Sequence, residues 1–231
     1  KRYLKIYKNF DGIHRSVYFL QNKDVNNQLD ESKLIVFLTK MIAFIWAYSF
    51  TNPGVNALRT PVYAEMINIV SGKAVSFVDF KFDENTLSTA IKNFEFKNGR
   101  PITKSMLTWW AFNNEIQALP VFNTTFEIEH IFARKRQEND KSLQNIKSLE
   151  SLGNKAILEE KINIRASDYR FADKIKYYQG FTNDKGQVKQ GTIIAELVNL
   201  ANSNSDFTEQ DIENRNGKII DGFILFLKVN E

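Results

Sequence analysis

The fold is decided by the stretch Phe126-Glu127-Ile128-Glu129-His130-Ile131. Apolar and polar residues alternate along it, which predicts a half-buried β-strand that ends at a histidine. The sequence contains only two histidines, and this one directly follows a carboxylate. A second β-prone run, Ala156-Ile157-Leu158, lies one loop further along, with Asn154 before it and Asn163 after it. We expect the two runs to be neighbouring strands.

An acid, an imidazole and two amides are the groups that a one-metal phosphodiesterase needs. His130 can take a proton from water, because the unperturbed pKa of histidine lies near neutrality. Glu129 and Asn163 offer oxygen ligands, which suit Mg²⁺ or Mn²⁺. Asn154 can hydrogen-bond either the loop backbone or the ring that presents His130. If these assignments hold, the side chains of Glu129, His130 and Asn163 should converge in the folded protein.

The composition is that of a globular protein. At 231 residues, with 43% hydrophobic and 25% charged residues, the chain can form one large domain or two small ones. The absence of cysteine excludes disulfides, thiolate zinc sites and cysteine nucleophiles. The longest apolar run, residues 34–50, is interrupted by polar residues, and we interpret it as a buried helix rather than a membrane span. We therefore expect a cytoplasmic protein without a membrane partner. The chain begins Lys1-Arg2-Tyr3, without a Met, and we expect a longer natural protein.

Positive charge is concentrated in the middle of the chain. Residues 130–190 contain 13 basic and 8 acidic side chains, whereas residues 191–231 contain 3 and 7. A polyanionic substrate would be attracted to the middle segment, although a solvated lysine-rich surface has the same composition. The candidate phosphate-binding residues are Lys155, Lys161, Arg165, Ser167 and Lys174.

The pattern of elements changes near Pro120. Residues 1–120 have helical patterns throughout, including 34–46, 60–70, 83–94 and 103–119, and we interpret them as a helical linker or scaffold. Residues 121–231 are predicted to form the catalytic domain, with a core at about 124–179. That core comprises a strand (124–131), a polar loop (134–147), a second strand (155–162) and a helix (171–178). Helices at 190–201 and 208–228 follow. The predicted fold class is mainly α (α+β), a helical bundle with an embedded ββα unit.

These residues resemble a known nuclease motif. Glu129-His130-Ile131, Leu152-Gly153-Asn154 and Asn163 resemble the HNH, or ββα-metal, motif, and the nine-residue interval between the asparagines matches HNH domains of CRISPR effector nucleases. A longer string is similar to the C-terminal nuclease domain of GmrSD-type restriction enzymes, namely Leu152-Gly153-Asn154-Lys155-Ala156-Ile157-Leu158, Asn163, Ser167, Phe171, Lys174 and Tyr178. Residues 47–70 and 207–215 resemble the helical linker and the C-terminal helix of that family.

The resemblance implies a DNA endonuclease that depends on Mg²⁺ or Mn²⁺ and belongs to bacterial anti-phage defence. Its substrates would include modified phage DNA. It implies His130 as general base, Asn154 as the residue that orients it, and Glu129 and Asn163 on the metal side. In that family a ParB-like N-terminal domain precedes the linker, and its motifs are absent from this chain. The sequence departs from the family where Ala133 replaces the usual proline and Asp168 replaces an asparagine. The role of Asp168 stays open.

Two alternatives remain open from the sequence. One is a non-catalytic nucleic-acid-binding or interaction module, which the mild basic bias and Ala133 would also fit. The other is an RNA-cleaving HNH toxin, because the same chemistry cuts RNA. His14, the second histidine, follows a predicted turn and is expected to be structural or exposed. The sequence does not indicate an oligomeric state.

Overall fold

The computed structural model describes residues 23–52, 55–77, 81–121 and 123–230. It is mainly helical with two small antiparallel sheets, which confirms the predicted fold class. The α-helices are α1 (Glu31–Thr51), α2 (Arg59–Val70), α3 (Glu84–Asn93), α4 (Pro101–Phe112), α5 (Arg134–Asp140), α6 (Glu160–Ala166), α7 (Phe171–Gln179), α8 (Ala195–Ser203) and α9 (Glu209–Asn230). The strands are β1 (Phe126–His130), β2 (Lys155–Glu159), β3 (Gly180–Thr182) and β4 (Val188–Gln190). His14 lies outside the described residues.

The chain divides into two compact units. One comprises the described residues up to Phe94 together with those from Ile220 onward, and the other comprises Glu95–Ile219. The sequence placed the boundary near residue 120, because α4 continues the helical pattern of the first half. In the structure α4 packs on β2 and belongs to the second unit. Every predicted site residue lies in this second unit, which we call the nuclease-like unit.

The first unit is built around α1. Asp30 caps this helix by accepting hydrogen bonds from the backbone N–H groups of Ser32 and Lys33, as expected for an aspartate before a first turn. α1 is long and apolar enough to cross a membrane by length and composition alone. Most of its apolar side chains are nevertheless buried inside the protein, including Trp46. The predicted buried helix is therefore confirmed.

The sheet at the centre of the nuclease-like unit pairs β1 with β2 in antiparallel register. His130 lies opposite Lys155, and Glu129 lies opposite Ala156. Because side chains alternate along a strand, Glu127 and Glu129 lie on one face, which we call the Glu129 face. His130 and Lys155 lie on the other, the His130 face. Helices α6 and α7 contribute side chains to the Glu129 face.

The second half contains more helix than the sequence predicted. The second strand was expected over 155–162, but it ends at Glu159 and α6 begins directly after it, so that Asn163 lies on a helix. The predicted polar loop 134–147 contains the short helix α5. A hairpin formed by β3 and β4 was not predicted, and it delays the helix expected from residue 190 until Ala195.

Helix α4 is shorter than predicted, because an asparagine turn stops it. The expected helix over 103–119 ends at Phe112. The side-chain oxygen of Asn114 accepts a hydrogen bond from the backbone N–H of Ile116. Asparagine favours such local bonds over a continued helix.

Gly153 allows the loop before β2 to pack directly against α9. A Cβ atom built at this position would lie 2.1 Å from the carbonyl oxygen of Ile212 and 2.7 Å from the Cβ atom of Asn216. The N–H of Gly153 also donates to Asn216 Oδ1 at 3.1 Å. A glycine is thus required at this position by the close approach of two backbones.

We predict that Gly153→Ala destabilises the protein, because its methyl group would overlap the backbone of α9. The expected loss is about 1–3 kcal/mol, the usual cost of overpacking, measured by urea unfolding. Gly217→Ala is the matched control on α9, where an added Cβ meets no described residue within 4 Å. It should instead stabilise the protein by up to about 1 kcal/mol. Wild-type stability for Gly153→Ala would contradict this account of the loop.

Candidate active site

His130 is the last residue of β1, and Asn154 holds the backbone that follows it. The carbonyl of Asn154 accepts from the N–H of Ile131 at 2.9 Å. Its side-chain oxygen accepts from the N–H of Phe132 at 2.7 Å, and its amide nitrogen donates to the carbonyls of Phe132 and Leu149, both at 3.1 Å. Asn154 is fully buried. Of the two contacts that the sequence left open for Asn154, the one to the loop backbone is present.

The imidazole of His130 is buried beside a charged cluster. Its Nε2 atom lies 3.5 Å from Glu150 Oε1 and has no hydrogen-bond partner within the part of the chain that the structure describes. Glu150 in turn binds Arg134 at 2.5 Å through Oε1 and Lys155 at 2.6 Å through Oε2. The histidine is therefore flanked by one carboxylate and two cations.

This environment keeps His130 neutral. Burial, and next the positive charges of Lys155 and Arg134, lower the pKa of His130 from 6.5 to about 3, because both disfavour the imidazolium form. The nearby Glu150 acts in the opposite direction. Burial alone would raise the pKa of Glu150, but the hydrogen bond and charge of Lys155 hold it below its usual range. His130 thus has a far lower pKa than the near-neutral value expected from the sequence.

Glu129 points to the other face of the sheet and is already paired. Its Oε1 atom accepts from Lys174 Nζ at 2.7 Å and from the Tyr178 hydroxyl at 2.6 Å. Glu129, Lys174 and Tyr178 are all buried. Burial raises the pKa of Tyr178 well above its ordinary value, which keeps the phenol protonated as a donor. Burial also raises the pKa of Glu129, and the charge of Lys174 opposes that shift.

The structure does not bring Glu129, His130 and Asn163 together. Asn163, on α6, donates through Nδ2 to Glu127 Oε2 at 2.8 Å. Glu129 is bound by Lys174, and His130 lies beside Glu150. The expected convergence failed for a simple reason: consecutive residues of a strand point to opposite faces, so Glu129 and His130 diverge.

The residues as placed do not fit the predicted metal site. Within the described ranges no three or more His, Asp or Glu side chains are grouped so that they could hold a metal ion. Among the residues that the structure describes, Glu129 and Asn163 share no partner, and the ammonium group of Lys174 already binds the Glu129 carboxylate. We therefore assign no catalytic step to a metal ion.

Two of the candidate phosphate-binding residues are buried. Lys174 binds Glu129, and Lys155 binds Glu150, Asn98 Oδ1 and the carbonyl of Phe96. Neither can reach a phosphate without breaking buried ion pairs, so the placement of both residues gives no support to the predicted phosphate contacts.

The other three phosphate-binding candidates lie nearer the surface. Lys161 and Ser167 are exposed. Arg165 is half-buried and donates to the backbone carbonyls of Lys161 and Gln190. Asp168, whose role the sequence left open, is also exposed. Lys161, Arg165 and Ser167 remain predictions as phosphate contacts.

The sequence missed Arg134 and Glu150 as neighbours of the histidine. Both line a shallow open cleft of about 700 Å³, together with Gln137 and Lys141. The Arg134 side chain is 47% exposed, so its guanidinium is available to an incoming anion. The sequence pointed to Arg134 only through its basic character and its position four residues after the histidine. No sequence pattern pointed to Glu150.

The comparison with protein families agrees with the sequence resemblance. The family model of GmrSD restriction endonucleases, C-terminal domain, matches residues 82–221, which include the whole nuclease-like unit. The chain belongs to this family. No curated protein and no solved structure matches it.

Membership of the GmrSD C-terminal family implies a nuclease of the restriction endonuclease type, which is a hydrolase that would act on DNA. The matched region begins ahead of α3 and ends within α9, so it takes in α3, which lies in the first compact unit. The family domain therefore starts well before the boundary near residue 120 that the sequence suggested.

We predict that His130 makes folding pH-dependent in chelator-containing buffer. The unfolded chain binds a proton below about pH 6.5, whereas the folded chain does so only near pH 3, so stability falls as the pH falls through this window. Between pH 7 and 5 the wild type should lose about 2 kcal/mol more than His130→Asn. Urea unfolding at both pH values measures the difference, and equal losses in the two proteins would contradict a buried neutral His130.

Proposed function

We propose that the chain is the DNA-cutting part of a modification-dependent restriction enzyme and hydrolyses phosphodiester bonds with His130 as general base. The observation that supports this most is the position of His130 within the region shared with the family. Its imidazole is neutral, its Nε2 has no hydrogen-bond partner in the described structure, and two residues beside it line an open cleft. Asn154 fixes the backbone that follows it.

In the proposed reaction a water molecule gives a proton to the imidazole of His130, and the resulting hydroxide attacks the phosphorus atom. The bond between phosphorus and the leaving 3′ oxygen breaks, and that oxygen takes a proton from water. The imidazolium then releases its proton to solvent. A bound phosphodiester would place negative charge beside His130 and raise its pKa, offsetting the cations that lower it in the free protein. The histidine would thus become a stronger base when substrate is bound.

Arg134 is the residue best placed to bind the phosphate. Its guanidinium contacts the same carboxylate oxygen of Glu150 that lies near His130 Nε2. The Glu150 carboxylate therefore links Arg134 to the proposed base, and Arg134 lies at the edge of the cleft. A guanidinium can exchange one oxyanion partner for another, and it binds phosphate in a bidentate manner.

Other features of the proposal come from the family resemblance. They are modified phage DNA as the target and a ParB-like domain as the N-terminal partner, while a place in the cytoplasm is the expectation drawn from the sequence itself. A requirement for Mg²⁺ or Mn²⁺ and an HNH-type site belong with them as predictions.

We predict that His130→Ala abolishes cutting of plasmid DNA in buffer with Mg²⁺ or Mn²⁺, because the proposed general base is then missing. A gel assay for nicked and linear products measures this, and circular dichroism verifies the fold. His14→Ala, the same change at the only other histidine of the sequence, serves as the control. Equal cutting by the His130 variant would overturn the assignment. Retained DNA binding without any cutting by the wild type would favour the non-catalytic module, and cutting of RNA alone would favour the toxin.

We predict that Arg134→Ala raises KM for DNA and lowers the salt dependence of binding, because one phosphate contact is lost. The slope of log affinity against log salt should decrease by about 1. Fluorescence anisotropy with a labelled duplex measures the slope. Lys135→Ala removes the charge of an exposed neighbour on the same helix and should change KM less. An equal effect of the two variants would indicate general electrostatic attraction rather than a specific contact.

A further inference from the structure

Lys174 is a buried cation that the proposed reaction does not use. Its Nζ atom donates to Glu129 Oε1 at 2.7 Å and to the main-chain carbonyl of His130 at 2.6 Å. The residue is 1% exposed, and it reaches the sheet from α7. The side chain thus joins a helix on the Glu129 face to the backbone of the proposed catalytic residue.

The Glu129 carboxylate is what makes this burial possible. A buried ammonium group is costly unless oxygen atoms surround it, and Glu129 supplies the anionic one. The Tyr178 hydroxyl donates to the same Oε1 atom at 2.6 Å, which helps to hold the carboxylate in position. Glu129, Lys174 and Tyr178 therefore form one connected network, which we call the Lys174 network.

The backbone around His130 is held from two directions. Lys174 binds the carbonyl of His130, whereas Asn154 binds the N–H groups of the next two residues, Ile131 and Phe132. The first contact comes from the Glu129 face and the second from the loop before β2. Because the direction of a side chain follows from its backbone, the two sets of contacts together fix where the imidazole points.

We propose that Lys174 and Glu129 are positioning residues for His130, and that Glu129 serves as the counter-ion of Lys174 instead of binding a metal. The inference rests on the proposed function of His130 as general base. It replaces the role that the sequence suggested for Glu129 with one that its contacts support. It also explains why a lysine expected at the surface is buried against the sheet.

Nitrogen NMR of the histidine rings tests the positioning without any need for cutting. The sequence has only two histidines, so protein labelled with ¹⁵N-histidine gives two sets of ring signals, and His14→Gln assigns them. Lys174→Met should shift or split the His130 signals. Lys176→Met, the same change at an exposed position of α7, should leave them unchanged. Unchanged His130 signals in a folded Lys174→Met protein would overturn the inference.

A double variant that removes both buried charges distinguishes a positioning role of Lys174 from a contribution to stability alone. Glu129→Gln and Lys174→Met should each lower the urea midpoint, because each leaves a buried partner unmatched. The double variant should lower it by less than the sum of the two shifts. Its His130 signals should stay shifted and its kcat should stay at least tenfold reduced with little change in KM, because no ammonium binds the His130 carbonyl. Recovery of signals and kcat along with stability would show a purely structural role and overturn the inference.

Calorimetric titration with Mn²⁺ alone tests the second half of the inference. Glu129→Gln should bind Mn²⁺ as the wild type does, and a wild type that binds none would agree equally well. Glu127→Gln is the matched control on the same face of β1. Loss of Mn²⁺ binding confined to Glu129→Gln would make Glu129 a metal ligand and overturn this inference alone. A wild type that cuts no nucleic acid would instead overturn the proposed function, while the NMR result would still decide whether Lys174 orients the ring.

Discussion

The buried ammonium group of Lys174 is the constraint on which the candidate site depends. A positive charge removed from water needs oxygen atoms close by, and here they come from the side chain of Glu129 and the backbone of His130. Because Lys174 lies on α7 and both of its oxygen partners lie on β1, these hydrogen bonds connect the strand to the helix. The same contact that makes the buried charge tolerable therefore sets the backbone position of the residue proposed to perform the chemistry.

The two faces of the sheet formed by β1 and β2 differ in their contacts and in their distance from solvent. The Glu129 face carries the Lys174 network, which is closed to solvent. On the His130 face, Glu150 and Lys155 surround the imidazole, and Arg134 leads from it to the open cleft. A site divided in this way is rigid behind the histidine, and in front of it Arg134, rather than the buried imidazole, meets the solvent. Rigid support behind a reactive group is a general feature of preorganised catalytic sites.

Much of this arrangement could be predicted from the sequence, and the failures have identifiable physical causes. The alternating run 126–131 predicted β1, and Asn154 was expected to hold the loop or ring at His130. The same alternation also predicts that the side chains of Glu129 and His130 diverge, because neighbouring residues of a strand point to opposite faces. The burial of Lys155 and Lys174 could not be read from sequence, since lysine is almost always exposed. Lys155 is buried against Glu150, a carboxylate close to it in sequence, whereas Lys174 is buried against Glu129, a carboxylate far from it in sequence.

The packing at Gly153 determines the smallest fragment of this chain that can act as a nuclease. The ββα core alone ends near residue 179, yet the loop carrying Asn154 rests on a helix that begins at Glu209. A fragment that stops after the core would leave that loop facing solvent where it now meets helix backbone, and Asn154 would lose the surface that supports it. Grafting this catalytic unit onto another targeting domain therefore requires the C-terminal helix as well, although that helix contributes no side chain to the chemistry proposed for His130.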